Sequence, residues 1–458
     1  MTETQRYWLL FVLASLTYLI TLFSVQYTGE EAVYTLGAYE MWAQGHFLYA
    51  SLYGSAYGRP PLINWLILFF SLGLGWDHVL IAARLVSALA TIGSGLLVGF
   101  AAQRIWKNPE RGALAALVFI TFGDILLYYG WLAYSDALFA FFALASMLCA
   151  WLWVREGRVS WLIFAALAVM AGFLTKALTA FVFYGVALAI SLWMERGWVR
   201  LRSPLFWVVQ ILTLCVPLVW YRIGHAGTVA GTGMAHDIAE KLQGVGAVAY
   251  LGQLTEFPAK MLVNLLPWSA ILLWLRWREG RQDIWWRNPN VRLAAAIGFL
   301  NFLPYWLAPQ SSHRYVLPIY GLIALAVAAR LDWSASTRTL VIRGAYFAIA
   351  LKLVAALWLF PAYTHRFRPD LAAIAHDMEQ RTKGYPLYSS DRAWIGISVT
   401  TIIDIDRSPG PIILLPRDMF SNGFLISENE DRTMGKLVHD YHGVVLLCRG
   451  AACTRGSQ

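Results

Sequence analysis

Residues 135–153 read SDALFAFFALASMLCAWLW, a single carboxylate at the leading edge followed by apolar or small side chains without a break. A helix that crosses a bilayer needs about 20 mostly apolar residues, so this stretch predicts a transmembrane span. The pattern recurs in both directions. Apolar runs at 7–25, 80–103, 112–129, 160–175, 178–194, 204–222, 260–275, 292–308, 314–331 and 339–360 bring the expected spans to 11. The first run follows a polar start and lacks a small-residue cleavage site, so it reads as an uncleaved helix. A shorter run at 62–75 follows Pro60-Pro61 and suits an interfacial or re-entrant helix; counted as a crossing, it raises the total to 12 or 13.

The composition agrees. Of 458 residues 59% are hydrophobic and 14% charged, where a soluble domain carries about 25% charged residues; mean hydropathy is +0.54. The 22 Trp, 22 Tyr and 24 Phe suit the boundary between hydrocarbon and headgroup. A soluble enzyme is excluded. The net charge of +9 belongs with cytoplasmic loops of a membrane protein rather than with nucleic acid. Of the four cysteines, Cys149 and Cys215 lie in apolar runs and read as packing residues, which leaves Cys448 and Cys453 as the one pair able to bond. There is no internal repeat, Walker motif, dinucleotide fingerprint or metalloprotease helix.

With the N-terminus inside, the inner loops hold 16 Lys and Arg and the outer loops 6, as the positive-inside rule requires. The transmembrane part is then 1–360, with outer loops at 26–79 and 222–259. Residues 361–458 form a small extracytoplasmic α/β domain, with strands expected at 410–415 and 443–448 and a helix at 369–381. The Gly-rich segment 224–233 and the helix-like stretch through Lys241 read as a mobile flap or a surface helix packed on the bundle.

Ionisable side chains at span ends in apolar sequence are functional candidates, and here they share the outer side: Glu30, Glu31, Arg59, Arg84, Asp136, Lys176, His313 and Arg314. Each has a structural alternative. The two glutamates suit a helix start, Arg59 and Arg84 suit snorkelling to headgroups, Asp136 suits a helix cap, and His313-Arg314 suits interfacial anchoring.

The order of short motifs resembles the polyprenyl-phosphate-sugar-dependent membrane glycosyltransferases of the GT-C fold, in the branch of aminoarabinose transferases and protein O-mannosyltransferases. The motifs are Glu30-Glu31-Ala32-Val33-Tyr34, Arg59-Pro60-Pro61-Leu62, Ala82-Ala83-Arg84-Leu85-Val86-Ser87-Ala88, Tyr134-Ser135-Asp136, Leu174-Thr175-Lys176, Leu265-Leu266-Pro267-Trp268 and His313-Arg314-Tyr315-Val316-Leu317-Pro318. Three positions depart from the family pattern: Glu30 stands where Asp is usual, Ala177 where Gly is common, and no Lys precedes His313.

The resemblance implies transfer of a sugar from a polyprenyl-phosphate donor to an acceptor hydroxyl on a lipid, glycan or protein, with inversion, at the outer face of the inner membrane. Such chemistry needs a carboxylate to take the hydroxyl proton and cations to steady the leaving phosphate. Glu30 is the first choice for base, with Glu31 and Asp136 as further site acids. Arg59, Arg84, Lys176, His313 and Arg314 are the phosphate set, and Tyr34 and Tyr315 the substrate contacts. Adjacent carboxylates raise each other's pKa unless one meets a cation, so one of Glu30 and Glu31 is expected to face Arg59 or Lys176. No metal is required, because the histidines lack ligand spacing; a divalent ion is compatible but unsupported. The alternative from another class is a lipid or glycolipid transporter or flippase.

Overall fold

The computed structural model describes residues 1–176, 178–223, 246–279, 285–331, 335–416, 420–429 and 433–455. Residues 224–245, which hold the Gly-rich segment and Lys241, lie outside the described residues, as does Ala177.

Every apolar run folds as helix. The elements are α1 (Glu3–Thr21), α2 (Glu31–Gln44), α3 (Leu62–Leu74), α4 (Val79–Trp106), α5 (Pro109–Ile120), α6 (Ser135–Glu156), α7 (Val159–Thr175), α8 (Thr179–Met194), α9 (Pro204–Arg222), α10 (Ala247–Asn264), α11 (Trp268–Glu279), α12 (Pro289–Leu307), α13 (Tyr320–Leu331), α14 (Ala335–Val354), α15 (Phe360–Phe367), α16 (Leu371–Thr382), α17 (Trp394–Asp406) and α18 (Ala452–Arg455). The chain is a polytopic α-helical membrane protein. Among the described residues, five helical stretches are long and apolar enough to cross a membrane on length and composition, six if the bent α10–α11 pair is one span. The figure is below the 11 expected runs because several runs are divided or short. The run at 112–129 is split between α5 and a π-turn at Ile125–Tyr129, α10 and α11 meet at 95°, and α7 and α8 fall under the length limit. α3 is the short helix expected after Pro60-Pro61, and its Phe69 and Leu72 are exposed as lipid-facing side chains would be.

Local sequence explains the ends. Asn108 and Asn288 cap α5 and α12, each with Pro in the first turn, where the missing N–H costs nothing. Gly45 and Gly157 end α2 and α6 in the left-handed region. α6 is the central helix, with 83% of its span buried, whereas α9 at 22% lies on the rim. The main core joins Phe11, Phe122, Met147, Trp151, Trp268 and Tyr320 from five segments.

A second core stands above one end of the bundle. Residues 387–449 contribute a four-stranded sheet of order β3-β4-β6-β5 from β3 (Leu387–Ser389), β4 (Gly423–Ser427), β5 (Lys436–Asp440) and β6 (Val445–Arg449). β3 and β4 run parallel and the other pairs antiparallel. The helix expected at 369–381 is α16, and the strand expected at 443–448 is β6. The strand expected at 410–415 does not form: only Leu414 makes a bridge, to Tyr388. Pro409, Pro411 and Pro416 remove ladder donors from this segment, and the Ile413 and Leu415 N–H groups go instead to Asp404 and to the Tyr53 carbonyl. Cys448 and Cys453 are joined by a disulfide.

The second core is shared with the first outer loop: Tyr27, Leu36 and Tyr53 pack with Leu371, Ile397, Phe424 and Leu446. Tyr53 and Gly54 form the tight turn between strands β1 (Ala50–Leu52) and β2 (Ser55–Tyr57), both with positive φ (55° and 72°), as a two-residue hairpin turn demands. Glu40 holds this turn by accepting the Tyr53 N–H at 2.6 Å and the Gly54 N–H at 3.0 Å.

Candidate active site

Glu30 and Glu31 sit at the start of α2, and one step of helix rotation sends them to different partners. Glu31 is completely buried. Its carboxylate accepts from Arg84 Nε at 2.8 Å and Nη2 at 2.7 Å, and from the N–H groups of Thr28 and Ala133 at 2.8 and 3.0 Å. Arg84 is equally buried. Its remaining donors go to the carbonyls of Leu22, Val25 and Gln26, so all five N–H groups of the guanidinium are used. Arg84 was expected to face the donor phosphate; the fold instead places it beneath the loop, fastening the end of α1 to the start of α2.

Glu30 points the other way, its side chain 40% exposed, and accepts from Arg314 Nη2 at 2.8 Å. Arg314 also lies 4.0 Å from Asp136. Asp136, in the first turn of α6, makes no capping bond; it is 2% exposed and receives the Lys176 ammonium from the end of α7. Lys176 and Arg314 both approach the Tyr315 ring, at 4.6 and 5.4 Å. The expectation that Arg59 or Lys176 faces one of the paired glutamates is therefore corrected: Glu30 takes Arg314, Glu31 takes Arg84, and Lys176 takes Asp136. The reason is depth, since Lys176 ends a helix beside the first turn of α6 and reaches Asp136 there.

Arg59 donates to the Tyr34 hydroxyl at 3.1 Å, and that hydroxyl pairs with Ser135 Oγ at 2.9 Å. Tyr34 thus ties Arg59 to the residue beside Asp136. His313 turns away from this group: it stacks on Phe257 at 4.2 Å, and its Nε2 lies 3.1 Å from the Phe257 carbonyl oxygen. Tyr134 was quoted only as part of a motif, yet its hydroxyl reaches the Glu30 N–H and the Thr28 carbonyl, both at 3.3 Å, and its ring lies 5.8 Å from the Arg314 guanidinium. Its place directly before Ser135-Asp136 was the available signal. Among the described residues no three His, Cys, Asp or Glu side chains gather as a metal site.

An acid open to solvent, a buried acid and two cations therefore converge from α2, α6, α7 and the 3-10 turn His313–Ile319. An apolar groove of about 360 Å³ runs between α10, α11, α12 and α13, lined by Met261, Phe302 and Ile319 among others, close to the contact between His313 and Phe257.

The fold matches that of ArnT from Cupriavidus metallidurans, solved bound to undecaprenyl phosphate, with a TM-score of 0.69 over 97% of this chain and 98% of that one, at 16% identity. The chain has a GT-C fold. Within it, residues 58–221 match the profile of the dolichyl-phosphate-mannose-protein mannosyltransferase family. That segment takes in Arg59, Arg84, Asp136 and Lys176 and excludes Glu30 and Arg314. An undecaprenyl phosphate-alpha-4-amino-4-deoxy-L-arabinose arabinosyl transferase of Pseudomonas aeruginosa is 29% identical over 252 residues, 53% of this chain and 44% of that relative. A second such transferase, of Pseudomonas fluorescens, is 27% identical over 351 residues, 73% of this chain and 57% of that relative. The chain thus spans about half the length of the relatives it matches. In this GT-C fold the cluster lies at the helix ends beneath the sheet-bearing segment.

Proposed function

We propose that the protein is an inverting glycosyltransferase that moves a sugar from a polyprenyl-phosphate donor to an acceptor hydroxyl. The observation that carries this reading is the bridge made by Arg314 between Glu30 and Asp136, with Lys176 on the far side of Asp136. An exposed base beside partly exposed cations is what displacement at an anomeric carbon needs. The acceptor oxygen attacks C1 of the sugar opposite the phosphate, the C1–O bond to phosphate breaks with its electron pair on the phosphate oxygen, and the hydroxyl proton passes to Glu30. Arg314 and Lys176 meet the charge that grows on the phosphate, and Arg59, held by Tyr34, adds a third cation. Tyr315, beneath both cations, borders the sugar.

Asp136 orients Lys176 and Arg314. Glu31 and Arg84 act as positioning residues, since neither has a free polar atom. The apolar groove of about 360 Å³ suits the isoprenoid chain. The names of the matched relatives support a lipid-phosphate sugar as donor. The charge asymmetry of 16 to 6 supports an inner-membrane protein with the cluster and an extracytoplasmic domain at 361–458 on the periplasmic side.

The test is incubation of the purified protein with a panel of labelled polyprenyl-phosphate sugars and acceptor lipids, glycans and peptides. Label should leave one donor, with the anomeric configuration of the product inverted. Retained configuration, or movement of intact donor across vesicles without transfer, would replace the reading with another mechanism or with a flippase.

A further inference from the structure

α4 and α6 each run the depth of the bundle. Arg84 and Arg104 on α4, like Asp136 and Glu156 on α6, are separated by about 30 Å at 1.5 Å per residue. The far ends of these two helices border an open cavity of about 670 Å³ lined by Phe100, Gln103, Arg104, Lys107, Glu156 and Arg158. It belongs to the membrane boundary opposite Glu30 and shares no residue with the cluster there.

Its wall is assembled. Glu156 accepts from Arg104 Nε at 2.7 Å and Nη2 at 2.8 Å and from Trp161 Nε1 at 3.0 Å, and lies 3.5 Å from Arg158. One carboxylate therefore sets two guanidinium groups in place while leaving the cavity with two surplus positive charges. Arg104 Nη1 and the Lys107 ammonium have no protein acceptor among the described residues. Lys107 is exposed and ends α4 in the left-handed conformation, φ 52°. On the lipid side, Phe100 packs on Trp161 at 5.8 Å and Arg104 lies 5.3 Å from that ring. Cations beside an exposed aromatic side chain, Phe100, fit an amphiphile whose phosphate is at headgroup depth.

We propose that this cavity binds the phosphate of an anionic phospholipid in the leaflet opposite the glycosyltransferase cluster. Excess positive charge in the inner loops then has a defined use at this point as well as its effect on orientation. The same phosphate chemistry is offered by a free anion, and the two sources differ in whether acyl chains are needed.

Native mass spectrometry of the delipidated full chain, titrated in turn with phosphatidylglycerol, phosphatidylcholine and inorganic phosphate, tests the proposal. The expected result is phosphatidylglycerol held about tenfold more tightly than phosphatidylcholine. Lys107→Gln/Arg158→Gln should abolish that preference and leave the thermal midpoint unchanged, and Lys107→Arg/Arg158→Lys should keep it. Equal retention of the two lipids by the wild type would overturn the proposal. So would an unchanged preference in the neutral double variant, or binding of inorganic phosphate that displaces phosphatidylglycerol from the protein.

Discussion

Glu31 and Arg84 meet through two hydrogen bonds of 2.8 and 2.7 Å with both side chains fully enclosed. A buried ion pair contributes little over an apolar pair of the same shape, but the removal of one partner strands the other charge. Arg84→Leu should therefore destabilise the protein by roughly 3–5 kcal/mol, read as a fall in thermal midpoint and yield. Arg84→Lys should recover only part of that loss, because an ammonium lacks the fork that also serves three carbonyls. Unaltered stability in both variants would make the pair dispensable.

Glu30→Gln keeps size and a hydrogen bond to Arg314 but removes the proposed proton acceptor. Turnover should drop by about 10²–10⁴-fold with donor binding retained, measured by single-turnover transfer and by lipid titration. Near-normal turnover would move the base to Asp136, whose Asn variant should then carry the loss.

Lys176→Gln and Arg314→Gln should lower turnover more than donor affinity, because cations facing a leaving phosphate act most strongly as its charge develops. His313→Ala supplies the contrast: its ring packs on Phe257, so transfer per folded molecule should change by less than about threefold while the local packing loosens. Equal effects from all three variants would reject the division.

The joint between the first outer loop and the C-terminal sheet carries two carboxyl groups that burial pushes up, Glu40 to about 7 and Asp391 to about 6, against hydrogen bonds from Gly54 and Tyr53 in the first case and from Ala393 in the second. Tyr53 connects them, its N–H on Glu40 and its hydroxyl on the Asp391 carbonyl. Carboxyl groups with raised folded-state values bind more protons in the native than in the unfolded state. Their stabilisation is present below about pH 4 and is lost as pH rises through 6 to 7. The thermal midpoint should therefore fall between pH 5 and 8, and Glu40→Gln with Asp391→Asn should flatten that slope.

Cys448 and Cys453 are bonded, and Cys149 and Cys215 are free. Alkylation before lysis should modify at most two cysteines per chain, identified by peptide mass spectrometry as Cys149 and Cys215. Modified Cys448 and Cys453 would place this segment in a reducing compartment and remove the periplasmic assignment.

By itself, the sequence determined the helices, the side of the bundle where charge gathers and the residues worth watching, because each depends on neighbours along the chain: apolar run length, loop charge and the short motifs that resemble the glycosyltransferases. The pairing of those charges was decided only in three dimensions. Glu30 and Glu31 are adjacent, yet a helix turns about 100° per residue, which sends one down to Arg84 and the other across to Arg314, 284 positions away. The same holds for His313 and Arg314, neighbours of which one stacks on Phe257 and the other joins the acids. Residues 410–415 carry strand-like apolar side chains, but their donors were claimed by Tyr53 and Asp404 from other segments. Local pattern decides whether a segment is helix or apolar; partner choice depends on where distant helix ends come to rest, and packing alone sets that.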